Sequence, residues 1–342
     1  MNYLVKMTPI EPYSFGGDQN FKYKDEALTG KESYFVRSKE LPEQTTVLGM
    51  LRYLILQNQG LLKTSFSYDT QEKGKMDVCI GPASFAYSKK DEQDFGFIKS
   101  ISPVFITNEE RHIIVKNPFH NKADKGYDPM KMGEETETSY GKISLPAKGE
   151  YDAKRGHAYG YINLSTGAIE EDLFKTENTV GNRKSENPKE DSDGFFKREM
   201  KVLKEGHSFA VYVEADKLPE RAIVYMGKKK SAFFVETAEG KSNQLEKTVS
   251  EYFSTGDTWY YALSDIVLQK PMHFNQFSIV EEKYQRNLET IHENGRARRR
   301  KSEVRYHLIE SGSVFYMDEP TFDEHKNAEQ IGYNKVVKLG GK

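Results

Sequence analysis

The sequence contains a single cysteine, Cys79, among its 342 residues. A lone cysteine excludes an internal disulfide framework and any metal cluster built from several thiolates. Such sparse use of cysteine is typical of a reducing compartment, so we expect a cytoplasmic protein. Because Cys79 lies between the apolar residues Val78 and Ile80, we expect a buried thiol on a strand and not a reactive one.

Long apolar runs are also missing, since no stretch approaches the roughly 20 residues needed to cross a bilayer. The N-terminal segment MNYLVKMTPIEPY has one short apolar run interrupted by prolines, too short for the core of a signal peptide. We therefore expect no membrane partner. A chain of this length usually forms two domains or one large one, and its 20 Phe and 21 Tyr supply bulk for substantial cores.

The chain has no large excess of either charge, with 50 Lys and Arg against 52 Asp and Glu. No global field attracts it to nucleic acid, so any such binding must come from local patches. The densest patch, GRARRRKSEVR, begins at Gly295 and has six basic residues against one acid. A solvated linker would explain it, but contact with RNA or with an acidic partner is equally supported, because like charges at this density are costly unless neutralised. Its basic residues are Arg296, Arg298, Arg299, Arg300, Lys301 and Arg305.

Catalytic motifs are mostly missing as well. There is no Walker loop, no dinucleotide fingerprint after a strand, no metalloprotease helix motif and no nucleophile elbow. The eight histidines are scattered, with no pair at ligand spacing. Asp191 and Asp193 lie in a charged loop, where solvation explains them better than a shared cation does. We therefore expect no catalytic centre, no metal site and no cofactor.

The best-marked segment that is present covers residues 33–60. Pro42 keeps the residue before it extended, so a helix begins only after it, and Thr45 or Thr46 is the expected N-cap. Gly60 suits the left-handed position after the last turn. The helix itself is predicted by apolar residues at a period of 3.6, namely Val47, Leu48, Leu51, Leu54 and Ile55.

The start of this helix is a candidate phosphate site. Its free amides, the positive end of its dipole and the hydroxyls of Thr45 and Thr46 would suit an anion, with Arg37, Lys39 and Arg52 nearby. Taken alone, these residues fit a capped surface helix without any ligand more readily.

Other segments predict an α+β fold. Residues 2–7 alternate like a strand, and apolar runs within 76–87 and 102–116 predict strands after the helix. The order strand, helix, strand, strand opens a ferredoxin-like unit. The polar segments 14–44 and 117–156 are expected to form long loops.

The second half of the chain predicts two hairpins. Residues 177–214 read as a β-finger whose charged tip, 184–194, is solvated. A second hairpin over 218–236 turns at a lysine-rich loop, where Lys228 and Lys229 serve either solubility or a phosphate. We therefore expect two packed ferredoxin-like (RRM-like) domains, covering 1–175 and 176–342, with the finger in the second.

Five motifs follow one another along the chain: PYSFGG at 12–17, LPEQTTVLGMLR at 41–52, TVGNR at 179–183, ESGSVFY at 310–316 and IGYN at 331–334. In this order they resemble the RAMP proteins of CRISPR effector complexes, most closely the third subunit of the type III-B Cmr complex. The sequence departs from the family in that Gln44 or Glu43 stands where a second proline is usual, and 117–156 has no counterpart.

The resemblance implies a non-catalytic subunit at the foot of the complex. Its partners would be the repeat-derived 5′ tag of CRISPR RNA, the large polymerase/cyclase subunit and an adjacent backbone RAMP subunit, with target RNA touched only indirectly. Arg52→Ala and Arg183→Ala are each expected to weaken tag binding. The full set of expected RNA-binding residues is Phe15, Gly16, Gly17, Arg37, Lys39, Thr45, Thr46, Arg52, Asn182, Arg183, Lys184, Lys228, Lys229, Arg296, Arg298, Arg299, Arg300 and Asn334.

Two other functions stay open on the sequence. A RAMP endoribonuclease would process precursor RNA by metal-independent acid–base chemistry, yet no histidine precedes His112 to serve the region of the first helix. A protein-only interaction subunit would use the arginine-rich segment to dock onto an acidic face of the large subunit.

Overall fold

The computed structural model describes residues 1–22, 33–63, 68–89, 91–119, 130–139, 141–152, 154, 160–182, 195–228, 230–241, 243–253, 259–268, 277–286, 288–293, 296–317 and 325–339. The helices in these residues are α1 (Gln44–Asn58), α2 (Thr70–Ile80), α3 (Gln244–Tyr252) and α4 (Lys326–Gln330). The strands are β1 (Asn2–Pro9), β2 (Phe15–Lys22), β3 (Ser33–Lys39), β4 (Ile98–Ile101), β5 (Phe105–Asn108), β6 (Ile113–Lys116), β7 (Thr136–Thr138), β8 (Gly141–Ile143), β9 (Tyr161–Asn163), β10 (Ile169–Glu170), β11 (Phe174–Asn182), β12 (Phe195–Leu203), β13 (His207–Ala215), β14 (Arg221–Met226), β15 (Ser231–Glu239), β16 (Trp259–Ala262), β17 (Ile266–Val267), β18 (Phe277–Ile279), β19 (Glu282–Gln285), β20 (Leu288–Glu293), β21 (Arg296–Lys301), β22 (Tyr306–Ile309), β23 (Val314–Tyr316) and β24 (Val336–Leu339).

Helix α1 is the helix that the apolar period predicts. All five of the predicted apolar residues are buried. Gly60 has φ of +65°, so its expected left-handed conformation is confirmed. The expected cap is wrong: the N-cap is Glu43, and Thr45 and Thr46 lie one residue or more inside the helix.

The apolar residues within 76–87 predict a strand, but the first of them belong to helix α2. Asp69 caps it, accepting a bond from the amide of Glu72 while the Glu72 side chain accepts one from the amide of Asp69. This reciprocal pair satisfies two donors of the first turn and so favours a helix. Cys79 is buried as expected, but on this helix and not on a strand.

The largest sheet has nine strands and joins segments that lie far apart in the sequence. Its order is β10-β9-β6-β5-β13-β1-β15-β14, and β4 also pairs with β13. Strand β1 is antiparallel to both of its neighbours, and Val5 lies opposite Val211 on one side and Thr237 on the other. The domain boundary near residue 175 stays a prediction of the sequence, while this sheet takes strands from both sides of it.

A second sheet, which we call the finger sheet, has the order β11-β12-β3-β2. Strands β11 and β12 form the predicted hairpin, whose expected tip at 184–194 lies outside the described residues. The hairpin is shorter than the expected 177–214, because the chain leaves it after Leu203 and β13 enters the nine-stranded sheet. Strand β3 pairs in parallel with β12 and antiparallel with β2.

Two expected loops contain strands. Residues 14–44 include β2 and β3, which pair with each other although the segment is polar and glycine-rich. The register of this pair shifts between Gly16 and Gln19 on β2. Residues 117–156 include the short pair β7 and β8. The lysine-rich hairpin is confirmed as β14 and β15.

The C-terminal part adds three small sheets: β18-β23-β16-β24, β17-β22-β19 and the hairpin β20-β21. One apolar cluster packs the aromatic residues Tyr13, Phe15, Phe209 and Phe233 together with the buried face of α1. Another surrounds Trp259 near α3 and β16.

The fold is therefore α+β with mostly antiparallel sheets, as the sequence predicts. Among the described residues, no helix is long and apolar enough to cross a membrane.

Candidate nucleic-acid interface

The finger sheet displays an aromatic ring beside a cation. The parallel register places Lys197 next to Phe35, and Lys197 Nζ lies 5.6 Å from the centroid of the Phe35 ring. Val180, opposite Lys197 on β11, is 56% exposed. A partly exposed ring next to an ammonium group and an apolar side chain suits an unpaired base and its phosphate.

Arg37 extends the basic character of this face. It follows Phe35 by two residues on β3, so both side chains point to the same side of the sheet. Arg37 and Lys197 are exposed, and no carboxylate among the described residues forms a salt bridge with either. Lys39, the next residue on that side, is bonded to Glu43. This face thus offers a phosphate the charges of Arg37 and Lys197.

A cavity of about 310 Å³ lies where the finger sheet meets the start of α1. Ionisable side chains of both signs dominate its wall. They are Lys39, Lys116, Lys201, Lys283, Glu40, Glu43, Asp265 and Glu310.

A buried ionic network around Lys283 and Glu43 forms part of this wall. Lys283 Nζ lies 2.9 Å from Glu43 Oε1 and also contacts Asp265, although its side chain is only 14% exposed. Lys39 contacts the same carboxylate, and Tyr333 donates its hydroxyl to Glu43 Oε2 at 3.2 Å. Each buried charge is therefore paired, as burial in protein requires.

These ion pairs shift the pKa values of both Glu43 and Lys283. Burial acts to raise the pKa of the Glu43 carboxyl, but the charges of Lys283 and Lys39 outweigh burial and hold that pKa well below its ordinary value. Burial acts to lower the pKa of Lys283, but Asp265 and Glu43 outweigh it and raise that pKa. Both groups therefore stay charged across the physiological range.

Other cations of the cavity are held in the same way. Lys116 Nζ lies 3.3 Å from Glu310, and Lys201 Nζ lies 2.9 Å from Glu199. A phosphate entering this cavity would have to replace these carboxylates, so the exposed face of the finger sheet is the more accessible site for an anion.

The predicted residues of α1 are placed as follows. Thr45 and Thr46 are partly buried in the first turn, next to the cap residue Glu43. Arg52 Nη2 donates to the carbonyl of Ala83 at 2.8 Å, and its guanidinium carbon lies 5.6 Å from the ring centroid of Phe95. Arg52 thus contacts the region after α2, and its RNA contact stays a prediction.

The predicted RNA-binding loop after β1 contributes one of its residues to the apolar core. Phe15 is buried, with its ring centroid 4.8 Å from that of Tyr13, so it is not displayed for stacking on a base. Gly16 is exposed, and a β-carbon there would meet nothing within 4 Å. Gly17 belongs to β2.

Asn334 contributes to folding. Its backbone has φ of +57°, and its side-chain oxygen accepts a bond from the amide of Val267 at 2.7 Å. Lys228 is exposed at the turn between β14 and β15, where its amide donates to the carbonyl of Ser14. Asn182 is the last residue of β11. Arg183, Lys184 and Lys229 lie outside the described residues.

The arginine-rich segment is a strand and not a linker. Arg296, Arg298, Arg299 and Arg300 all belong to β21, which pairs with β20. In this register Arg296 lies opposite Glu293 and Arg300 opposite Glu289.

Phe35, Lys197 and Val180 are not among the residues that the sequence predicts to bind RNA. A usable signal was present, because successive side chains of a strand point to opposite sides, which places Phe35 and Arg37 of SYFVRSK on the same side. Lys197 and Val180 come from a hairpin more than 140 residues further along the chain. Only the strand register of the structure shows that they lie beside Phe35.

A family model provides the decisive comparison. The model described as CRISPR-associated protein (Cas_Cmr3) matches residues 5–339, nearly the whole chain. The chain belongs to the Cas_Cmr3 family. The resemblance to the third subunit of the type III-B Cmr complex is thereby confirmed.

A solved structure shares the fold of the chain, and others show weaker similarity. A chain of the cryo-EM structure of the Type III-B Cmr-beta bound to cognate target RNA has a TM-score of 0.52 at 14% identity, with 99% of this chain and 97% of that chain covered. A chain of the same assembly bound to target RNA and AMPPnP gives 0.47 at 13% identity, over 99% and 98%. A chain of the crystal structure of the Csm1-Csm4 cassette in complex with AMPPNP gives 0.37 at 12%, over 100% and 98%. No curated protein sequence matches the chain.

Proposed function

We propose that this Cas_Cmr3 family member is a non-catalytic RNA-binding subunit of a type III-B CRISPR ribonucleoprotein. It holds the 5′ tag of CRISPR RNA and docks the large polymerase/cyclase subunit and an adjacent backbone RAMP subunit. The observation that carries the proposal is the family match over residues 5–339. In this proposal the chain contains two ferredoxin-like units, and target RNA is contacted only indirectly.

The exposed face of the finger sheet supports the RNA-binding part. It combines the cations Arg37 and Lys197 with the ring of Phe35, which is the chemistry that recognises unstacked RNA. We assign the tag to this face in preference to the cavity, whose lysines already have carboxylate partners. The non-catalytic part rests on the sequence, which carries none of the nucleophile or metal motifs described above.

Binding of tagged RNA tests the proposal. The full chain, alone and in the assembled complex, is titrated with RNA carrying the tag and with RNA of equal length and scrambled tag sequence. We expect tighter binding of the tagged RNA. Arg37→Ala and Lys197→Ala should each weaken it severalfold and reduce the slope of log affinity against log salt by about one unit or slightly less.

Lys247→Ala is the matched control, since Lys247 is an exposed cation on α3 whose loss changes the net charge equally. Equal affinities for Arg37→Ala, Lys197→Ala and this control at every salt concentration would refute the assignment of the tag to the finger sheet. Specific cleavage of repeat RNA by the purified chain would refute the non-catalytic role.

A further inference from the structure

A second aromatic site lies outside the finger sheet, on the sheet β17-β22-β19. Tyr284 on β19 is directly opposite His307 on β22. Their rings are stacked, with centroids 5.2 Å apart and planes inclined by 18°. Tyr284 remains 63% exposed, so the stack is displayed to solvent and not packed into a core.

Glu282, on the strand of Tyr284, lies close to the histidine of the ring pair. His307 Nε2 lies 2.9 Å from Glu282 Oε2, a distance at which a protonated imidazole forms an ion pair. Glu282 and Tyr284 are two residues apart and share one side of β19. Lys283, between them, points to the other side and enters the buried network with Glu43. Lys283 thus fixes β19 to the buried network on one side, while Tyr284 and His307 are presented on the other side. Because the strand is already ordered, binding a planar partner to these rings costs less entropy.

The chain around the ring pair is strongly basic. It leaves β19, forms the hairpin of β20 and β21, and returns as β22, so Tyr284 and His307 lie at the root of that hairpin. Residues 284–307 contain seven Lys and Arg against three Glu. Arg305, just before β22, is exposed. A polyanion therefore complements the charge, and a planar group complements the rings.

We propose that Tyr284 and His307 form a stacking platform for an unpaired base of single-stranded RNA, with the exposed Arg305, two residues before His307, contacting a neighbouring phosphate. An acidic protein segment would satisfy the arginines but would give the exposed ring stack no planar partner. Cations combined with displayed aromatic faces are the combination that binds unpaired nucleic acid. This is a second RNA-binding surface, distinct from the tag site on the finger sheet.

Two substitutions at one position test the platform. The full chain is titrated with fluorescein-labelled single-stranded oligouridine RNA and with duplex RNA of equal length. Tyr284→Ala should weaken binding of the single strand by about fivefold or more, the value expected from losing one base–aromatic stack. Tyr284→Phe keeps the ring and should bind like the unaltered chain. Binding of the duplex should change little in either variant, because its bases are already stacked.

Tyr225→Ala is the matched control. Tyr225 on β14 is 62% exposed, nearly the same as Tyr284, and no ring among the described residues stacks on it. Equal affinity of Tyr284→Ala and Tyr225→Ala for the single strand, with urea midpoints unchanged in both, would overturn the platform. Photocrosslinking of 5-iodouridine RNA to a peptide containing Tyr284 would support it independently of any effect on folding.

Arg37→Ala, measured with the tagged RNA in parallel, separates this inference from the proposed function. If Arg37→Ala weakens tag binding while Tyr284→Ala leaves oligouridine binding unchanged, the tag site stands and the platform fails. If only Tyr284→Ala has an effect, the platform stands and the assignment of the tag to the finger sheet fails. Displacement of the large subunit by Tyr284→Ala without any change in RNA affinity would mean that the rings bind protein, which contradicts the platform.

Discussion

At the scale of single residues, the Glu43 carboxylate occupies the start of α1, where the sequence places a candidate phosphate site. The sequence around it offers two hydroxyls, free amides and nearby basic residues, which together suit a phosphate. In the structure the side chain of Glu43 itself supplies the negative charge, and Lys39 and Lys283 neutralise it. A carboxylate near the positive end of a helix dipole is also favourable, so the protein supplies the negative charge here itself, although the Glu43 side chain accepts no bond from the first-turn amides.

The depressed pKa of Glu43 predicts a loss of stability in acid. A carboxyl whose pKa is lower in the folded state than in the unfolded state stabilises the fold above its unfolded pKa, here near 4.5, and loses this effect as the pH falls through the folded value. Glu43→Gln should therefore be less stable than the unaltered chain at pH 7, by about 3 kcal/mol. The difference should shrink as the pH falls below about 4.5. Urea unfolding from pH 7 to pH 3 measures it.

Glu251→Gln on α3 is the control, because Glu251 forms an exposed pair with Lys247 at 3.8 Å. Its effect should be small and nearly independent of pH. A difference between Glu43→Gln and the unaltered chain that stays constant down to pH 3 would show that the carboxylate is not stabilised by the network.

At the scale of elements, α1 and α2 show what a local pattern can and cannot predict. Helix α1 buries a continuous apolar face, so the period of its residues identifies it. Helix α2 buries only Cys79, and its apolar residues occur together near its end, where they imitate a strand. The signal that identifies α2 is the spacing of Asp69 and Glu72.

This capping pair carries the next prediction. Asp69→Ala removes the acceptor for the amide of Glu72, which lies 2.8 Å from the Asp69 carboxylate, and should lower the Tm and raise hydrogen exchange in the first turn of α2. Asp77→Ala removes an equal charge from the exposed side of the same helix and should change exchange there much less. Equal exchange in the first turn of both variants would contradict a role for the cap.

The same limit applies to the candidate site. Alternation in β3 predicts that Phe35 and Arg37 lie on one side, and a charge count finds the arginine-rich strand. Neither reveals that β12 places Lys197 beside Phe35, because parallel pairing between distant strands leaves no local signal. Phe15 was wrongly expected at the surface, since an aromatic residue after a strand can face either the core or a ligand.

At the scale of the whole molecule, the nine-stranded sheet ties both halves of the chain together. Strand β1 has β13 and β15 as its two neighbours, and its residues Val5 and Met7 are completely buried. Fragments 1–175 and 176–342 should therefore fail to fold stably when expressed alone, because each would leave a hydrophobic strand edge unpaired. Co-expression should restore a complex that co-purifies.

Circular dichroism and urea unfolding of each fragment check this expectation. A cooperative transition in the isolated fragment 1–175 would contradict it and would support independent domains with a boundary near residue 175. As a control for the effect of a chain break alone, the intact folded chain is cut by a protease at a site engineered near residue 175.

The position of β1 also has a consequence during synthesis. Its partners β13 and β15 are translated roughly 200 residues after it, which at about 5–20 residues per second leaves β1 unpaired for roughly 10–40 s. A newly made chain thus carries an exposed apolar strand for most of its time on the ribosome. We expect nascent chains of this protein to depend on a ribosome-associated chaperone until residue 239 has emerged.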